Sequence, residues 1–98
     1  MYTNIDNEKL NEMITNQEDF LLLDIREKEE FDEKYIFKAV NIPLNKLLFN
    51  IDDIEEYKEK TVVVYCRSGH RSITACHLLS MEGFENLYNL EKGIIEYK

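Results

Sequence analysis

Thr61-Val62-Val63-Val64-Tyr65-Cys66-Arg67-Ser68-Gly69-His70-Arg71-Ser72 joins an apolar, mostly β-branched run to a short polar loop. The run reads as a buried strand. After the loop, Ile73 to Met81 reads as a helix closed by Gly83. A cysteine at the carboxyl end of a strand, entering a helix, lies where open α/β sheets bind ligands. The loop amides are free to converge on Cys66, and the helix points its positive end at the same spot. Arg67 and Arg71 add two cations. Each effect favours thiolate over thiol, so the Cys66 pKa is expected below its free value of roughly 8.5. Gly69 permits a left-handed turn, which lets the loop curl around an anion.

Composition narrows the function classes. The chain has 98 residues, 44% hydrophobic and 33% charged, which suits a single domain over residues 1–98 with a modest core. A net charge of −8 argues against nucleic acid or an anionic membrane as partner. No apolar run approaches the roughly 20 residues of a membrane span. Met1 to Asp6 has neither a basic nor an apolar leader segment. Two cysteines make no disulfide framework, and a reactive thiol suits a reducing cytoplasm. No Cys/His spacing matches a metal site, and no cofactor is implied.

Taken in order, the chain alternates strands and helices. Asp6 reads as an N-cap, with Glu8 in the first turn and Leu10, Met13 and Ile14 at helical spacing. Phe20 to Ile25 reads as a buried parallel strand. Glu27 to Lys34 reads as a short surface helix anchored by Phe31. Ala39 to Ile42 reads as a short strand stopped by Pro43. Leu44–Asn50 and Asp52–Lys58 read as two helical segments, with Leu44, Leu47, Leu48 and Ile51 facing inward. Asn86 to Asn89 is the last strand, and Ile94, Ile95 and Tyr97 in the closing segment are available to pack.

Several stretches together resemble the rhodanese family of single-domain sulfurtransferases, from about Ile5 to Lys98. Leu22-Leu23-Asp24-Ile25-Arg26-Glu27 with Glu30-Phe31 is similar to its Asp-x-Arg-Glu segment. Ala39-Val40-Asn41-Ile42-Pro43 is similar to its Ala-x-Asn-Ile-Pro turn, and Cys66 to Ser72 to its active loop. Asn89-Leu90-Glu91-Lys92-Gly93-Ile94 is similar to its Leu-x-Gly-Gly end. Each motif is weak alone; all of them in order are strong. Lys34-Tyr35-Ile36-Phe37-Lys38-Ala39 departs from the usual Gly-His-Ile-Pro-Gly-Ala, Lys92 replaces a common glycine, and Tyr97 replaces a closing tryptophan.

The resemblance implies a three-layer α/β/α domain with a five-stranded parallel sheet. It implies ping-pong sulfur transfer, with Cys66 as nucleophile and a persulfide on Cys66 as intermediate. Arg67, Ser68, Gly69, His70, Arg71 and Ser72 would bind a small anionic sulfur donor such as thiosulfate or a persulfide. Asp24 and Arg26 would support the site without taking part in the chemistry. Arginines after the cysteine and at the sixth loop position resemble the thiosulfate-using pattern. The acceptor would be cyanide, a thiol or a protein thiol, and the protein would act as a monomer.

Blander readings stand beside these. Cys76 shares a helix face with Ser72, Ala75 and Leu79 and reads as structural, with a resolving role as the sharper alternative. His70 reads as a solvated loop residue that could polarise a donor, and His77 as a surface residue. Two other functions fit this fold: a phosphatase or arsenate reductase, and a non-enzymatic sulfur-relay or binding module. The phosphatases resemble Cys-x5-Arg, one residue longer than Cys66 to Arg71; Ser72 holds the position of their arginine.

Overall fold

The computed structural model describes residues 1–98. Its centre is the apolar run, which forms strand β4 (Thr61–Tyr65) with Val62, Val63 and Val64 fully buried. Beside it lies β2 (Phe20–Asp24), in parallel register from Phe20 opposite Thr61 to Asp24 opposite Tyr65. Five parallel strands follow the order β1-β5-β4-β2-β3, with β1 at Tyr2–Ile5, β3 at Val40–Asn41 and β5 at Asn86–Leu90. Successive residues of β2 and β4 point to opposite faces. Both faces are covered, which explains unbroken apolar runs instead of alternation. Burying each such Val or Leu contributes about 1.5–3 kcal/mol.

Helices complete the layers. On one face, Leu21, Leu23, Val62, Val64 and Cys66 pack with Ala75, Cys76 and Leu79 of α3 (Arg71–Met81). On the other, Phe20, Leu22, Val63 and Tyr65 pack with Leu10 and Met13 of α1 (Asn7–Thr15). Asp6 caps α1, its carboxylate accepting the Lys9 N–H at 2.8 Å. The short α2 (Lys28–Glu33) buries no side chain. Phe31 is half-buried and stacks on Tyr35 at 4.6 Å between ring centres, the main apolar contact of this surface helix.

The structure departs from the sequence expectations at identifiable places. Strand β1 was not expected from the residues themselves, because only Ile5 of Tyr2–Ile5 is buried. It forms an edge strand on β5, distant in sequence. The segments after Pro43 are 3-10 helices, Leu44–Lys46 and Leu48–Tyr57, the second kinked at Asn50 (φ −116°). The kink at Asn50 breaks the face that Leu48 would share with Ile51, so Leu47, Ile51 and Ile54 are inside and Leu48 is exposed, against the inward placement expected for it. In the closing segment Ile94 is buried but Ile95 is exposed.

The divergent stretch before β3 keeps a glycine-like backbone without its glycine. Lys38 adopts φ +70°. A left-handed conformation costs a side chain-bearing residue roughly 1–2 kcal/mol. The Lys38 ammonium lies 4.0 Å from the centre of the Phe20 ring, which offsets part of this by ~0.5–1 kcal/mol. Lys38→Ala therefore keeps the strained backbone and loses the contact, whereas Lys38→Gly removes the strain. In urea unfolding, the Gly variant should be the more stable of the two by about 1 kcal/mol; the reverse order would refute the strain.

Candidate active site

Cys66 leaves the end of β4 on the α3 side of the sheet and is 1% exposed. The loop curls beneath its sulfur. The Gly69 N–H donates to Cys66 Sγ at 3.1 Å, and Ser72 Oγ lies 3.5 Å from it. Helix α3 begins at Arg71, two residues before the expected Ile73. Arg71 and Ser72 thus sit in the first helical turn, where N–H groups lack intrahelical partners. The Ser72 N–H is one of the donors that face the sulfur.

Two glycines make this geometry. Gly69 has φ +97°, and a Cβ there would stand 2.0 Å from the Glu91 carbonyl oxygen. Gly93 has φ +70°, and a Cβ there would stand 2.2 Å from the Arg67 carbonyl oxygen. The turn after β5 closes on the loop through Ile94 N–H to the Cys66 carbonyl and Ile95 N–H to the Arg67 carbonyl, both at 3.0 Å. The Lys92 substitution leaves this contact intact.

The two thiols diverge in acidity. Burial pushes the Cys66 thiol up, but the Ser72 hydroxyl and the N–H groups of Ser72, Ser68 and Gly69 outweigh it, and the pKa falls below its ordinary value. Hydrogen bonds from the loop are the leading causes of this fall, ahead of the arginines expected to share it. Cys76 has no such donors, and burial pushes its thiol up to about 12. Iodoacetamide should modify Cys66 with a half-maximal rate at a pH below the ~8.5 of a free thiol. Cys76 should stay unmodified in native protein. Equal labelling of both by peptide mapping would contradict the assignment.

One residue of the site was not expected. Asn89, 1% exposed, accepts a hydrogen bond from the Ser72 hydroxyl. Its own amide donates to Asn4 Oδ1 at 3.0 Å and to the Gly69 carbonyl at 3.4 Å. A chain of contacts thus runs from the edge strand through Asn89 and Ser72 to the sulfur. The signal was an amide on a strand position that shares a face with buried Leu87.

The charged residues do not form the simple cationic cradle expected. Arg71 is held by Glu30, Nη1 to Oε1 at 3.1 Å and Nη2 to Oε2 at 3.2 Å. Arg26 is held by Asp24, with the shortest of three guanidinium contacts at 2.7 Å, and donates to the Lys34 carbonyl at 2.6 Å. It supports the wall of a cleft of about 430 Å³. That cleft is lined by Arg26, Lys34 and Arg67, by Glu29, Glu30 and Glu33, and by Ile94 and Ile95. Ser68 and His70 are exposed, with the Ser68 hydroxyl 3.3 Å from His70 Nδ1. His77 is exposed and meets the Tyr2 ring edge-on. No helix is long and apolar enough to cross a membrane.

Comparison with known proteins agrees with this architecture. A sulfurtransferase from Allochromatium vinosum is 37% identical over 99% of this chain and 89% of its own length. A solved rhodanese-related protein from Thermoplasma volcanium superposes with a TM-score of 0.83 at 30% identity, covering 99% of this chain and 96% of that one. The tRNA uridine(34) hydroxylase of Hamiltonella defensa is 37% identical over 91% of the chain, which spans only 26% of that protein. The rhodanese-like domain profile matches residues 6–98, and with the five-stranded parallel sheet and the Cys66 loop this places the chain in the rhodanese-like family.

Proposed function

We propose that the protein is a sulfurtransferase that carries sulfane sulfur on Cys66. The observation that carries the reading is the hydrogen-bonded sulfur at the base of the loop, with Gly69 N–H at 3.1 Å and a depressed pKa. The Cys66 thiolate attacks the outer sulfur of thiosulfate or of a persulfide. A sulfur–sulfur bond forms to Cys66 as the donor's own sulfur–sulfur bond breaks. The electron pair leaves with sulfite or with the donor thiolate. An acceptor thiolate, or cyanide, then attacks the outer sulfur of the Cys66 persulfide and restores the Cys66 thiolate. The loop N–H groups stabilise the anionic sulfur at each stage. Arg67 and Lys34, which make no ion pair, are the free cations at the cleft. Both cysteines are free thiols, which fits work in a reducing compartment such as the cytoplasm.

A phosphatase reading is less well supported, because Ser72 stands where a Cys-x5-Arg loop carries its arginine. The test is a side-by-side assay with thiosulfate plus cyanide, with polysulfide plus a thiol, and with p-nitrophenyl phosphate. Cys66-dependent sulfur transfer without phosphate release is expected. Cys66-dependent phosphate release without sulfur transfer would overturn the proposal.

A further inference from the structure

Glu30 is placed with unusual firmness for a residue on a six-residue surface helix. Its Oε1 accepts the Glu27 N–H at 3.0 Å, in a capping box, and also Arg71 Nη1 at 3.1 Å. Its Oε2 accepts Arg71 Nη2 at 3.2 Å. The carboxylate is therefore fixed before any ligand arrives, and it grips the guanidinium in the two-pronged geometry that makes such pairs strong. Arg71 lies in the first turn of α3, close enough to Cys66 for the thiolate to raise its proton affinity, although Glu30 does so more. Glu30 is held below the ordinary carboxylate range, first by the Arg71 contact. It stays ionised and paired at neutral pH.

The surrounding charges point the same way. Three cations line the cleft against three carboxylates. Arg26 is occupied by Asp24, so Arg67 and Lys34 are left facing Glu29 and Glu33. A dianion entering such a site finds no surplus of positive charge, while a donor with at most one charge is spared the repulsion.

We infer that Glu30 is a specificity-determining residue: by gripping Arg71 it withholds a cation from dianionic donors and biases sulfur uptake toward persulfides. This rests on the sulfurtransferase reading. It also reverses the donor preference that the two loop arginines suggest from sequence, since an arginine held by a carboxylate is not available to thiosulfate.

The test compares thiosulfate with the persulfide of N-acetylcysteamine, whose tail is uncharged, in the full-length protein. Glu30→Gln keeps the side-chain shape and the acceptor for the Glu27 N–H while removing the charge; Glu30→Ala releases Arg71 fully. Both should raise kcat/KM for thiosulfate by about tenfold or more, mainly through a lower KM, the size expected when one charge-assisted contact is regained. Transfer from the persulfide should change less than about threefold, well within one such contact. Adding Arg71→Ala to either variant should erase the thiosulfate gain, which a loosened helix would not explain. Unchanged donor ratios in both Glu30 variants, in protein that still transfers sulfur, would overturn the role of Glu30. Absence of sulfur transfer from every donor in the parent protein would instead overturn the underlying function.

Discussion

Cys66→Ser should reduce sulfur transfer to the uncatalysed background and leave the fold unchanged. The reaction needs an atom that is both a strong nucleophile and able to hold a second sulfur. A serine hydroxyl at neutral pH is neither, whereas the Cys66 sulfur is held by N–H donors that favour its anion. The substitution is nearly isosteric, so the Gly69 N–H keeps an acceptor, the Ser72 oxygen keeps a donor and the loop keeps its shape. Cys76→Ser should behave in the opposite way. It leaves transfer largely intact, because Cys76 lies inside the α3-side core with its thiol pushed up to about 12. It destabilises the fold, because a hydroxyl enters an apolar cluster. Activity and thermal unfolding of the two variants, measured together, separate a chemical role from a packing role. A Cys66→Ser protein with parent-like transfer would refute the nucleophile.

Arg26→Ala should be the most damaging single change to stability. Asp24 is fully buried, and its carboxylate depends on the Arg26 side chain for three contacts between 2.7 and 3.1 Å. The Arg26 backbone N–H at 2.9 Å would remain. Breaking a buried pair by removing one partner costs about 3–5 kcal/mol, because the other charge is left uncompensated. For a chain of this size that is a fall in Tm of more than about 12 °C. The Lys34 carbonyl loses its donor too, so the wall of the cleft loosens and KM should rise for every donor. The double variant Asp24→Asn/Arg26→Met removes both charges and should recover a large part of the loss. A double variant as unstable as the sum of its single changes would show that the pair is not what holds this region.

The cysteine loop was readable in the sequence because its information is local. A β-branched run, a cysteine, one glycine and a helical spacing lie within about twenty residues, and each constrains the next. The buried side of α3 was readable for the same reason: Ser72, Ala75, Cys76 and Leu79 are indeed its buried residues. Strand β1 was not, because only Ile5 of its four residues is fully buried, and its pairing with β5 joins the two ends of the chain. Leu48 was misplaced because a continuous helical face from Leu44 to Ile51 was assumed, and the backbone kinks at Asn50 between Leu48 and Ile51. The charges of the site were the least readable part. Arg71 looked like a free cation in the loop, and its partner Glu30 lies 41 residues earlier on a surface helix whose charges looked merely solvated. Asn89 was overlooked because an asparagine near a strand end reads as turn chemistry until its burial is known.

The measurement that tests the account most directly is intact-protein mass spectrometry after treatment with thiosulfate or polysulfide, followed by peptide mapping. The expected result is one added sulfur atom per chain, located on the peptide carrying Cys66 and discharged by cyanide or a thiol. No added sulfur from either donor, or sulfur retained in the Cys66→Ser variant and located on Cys76, would contradict it.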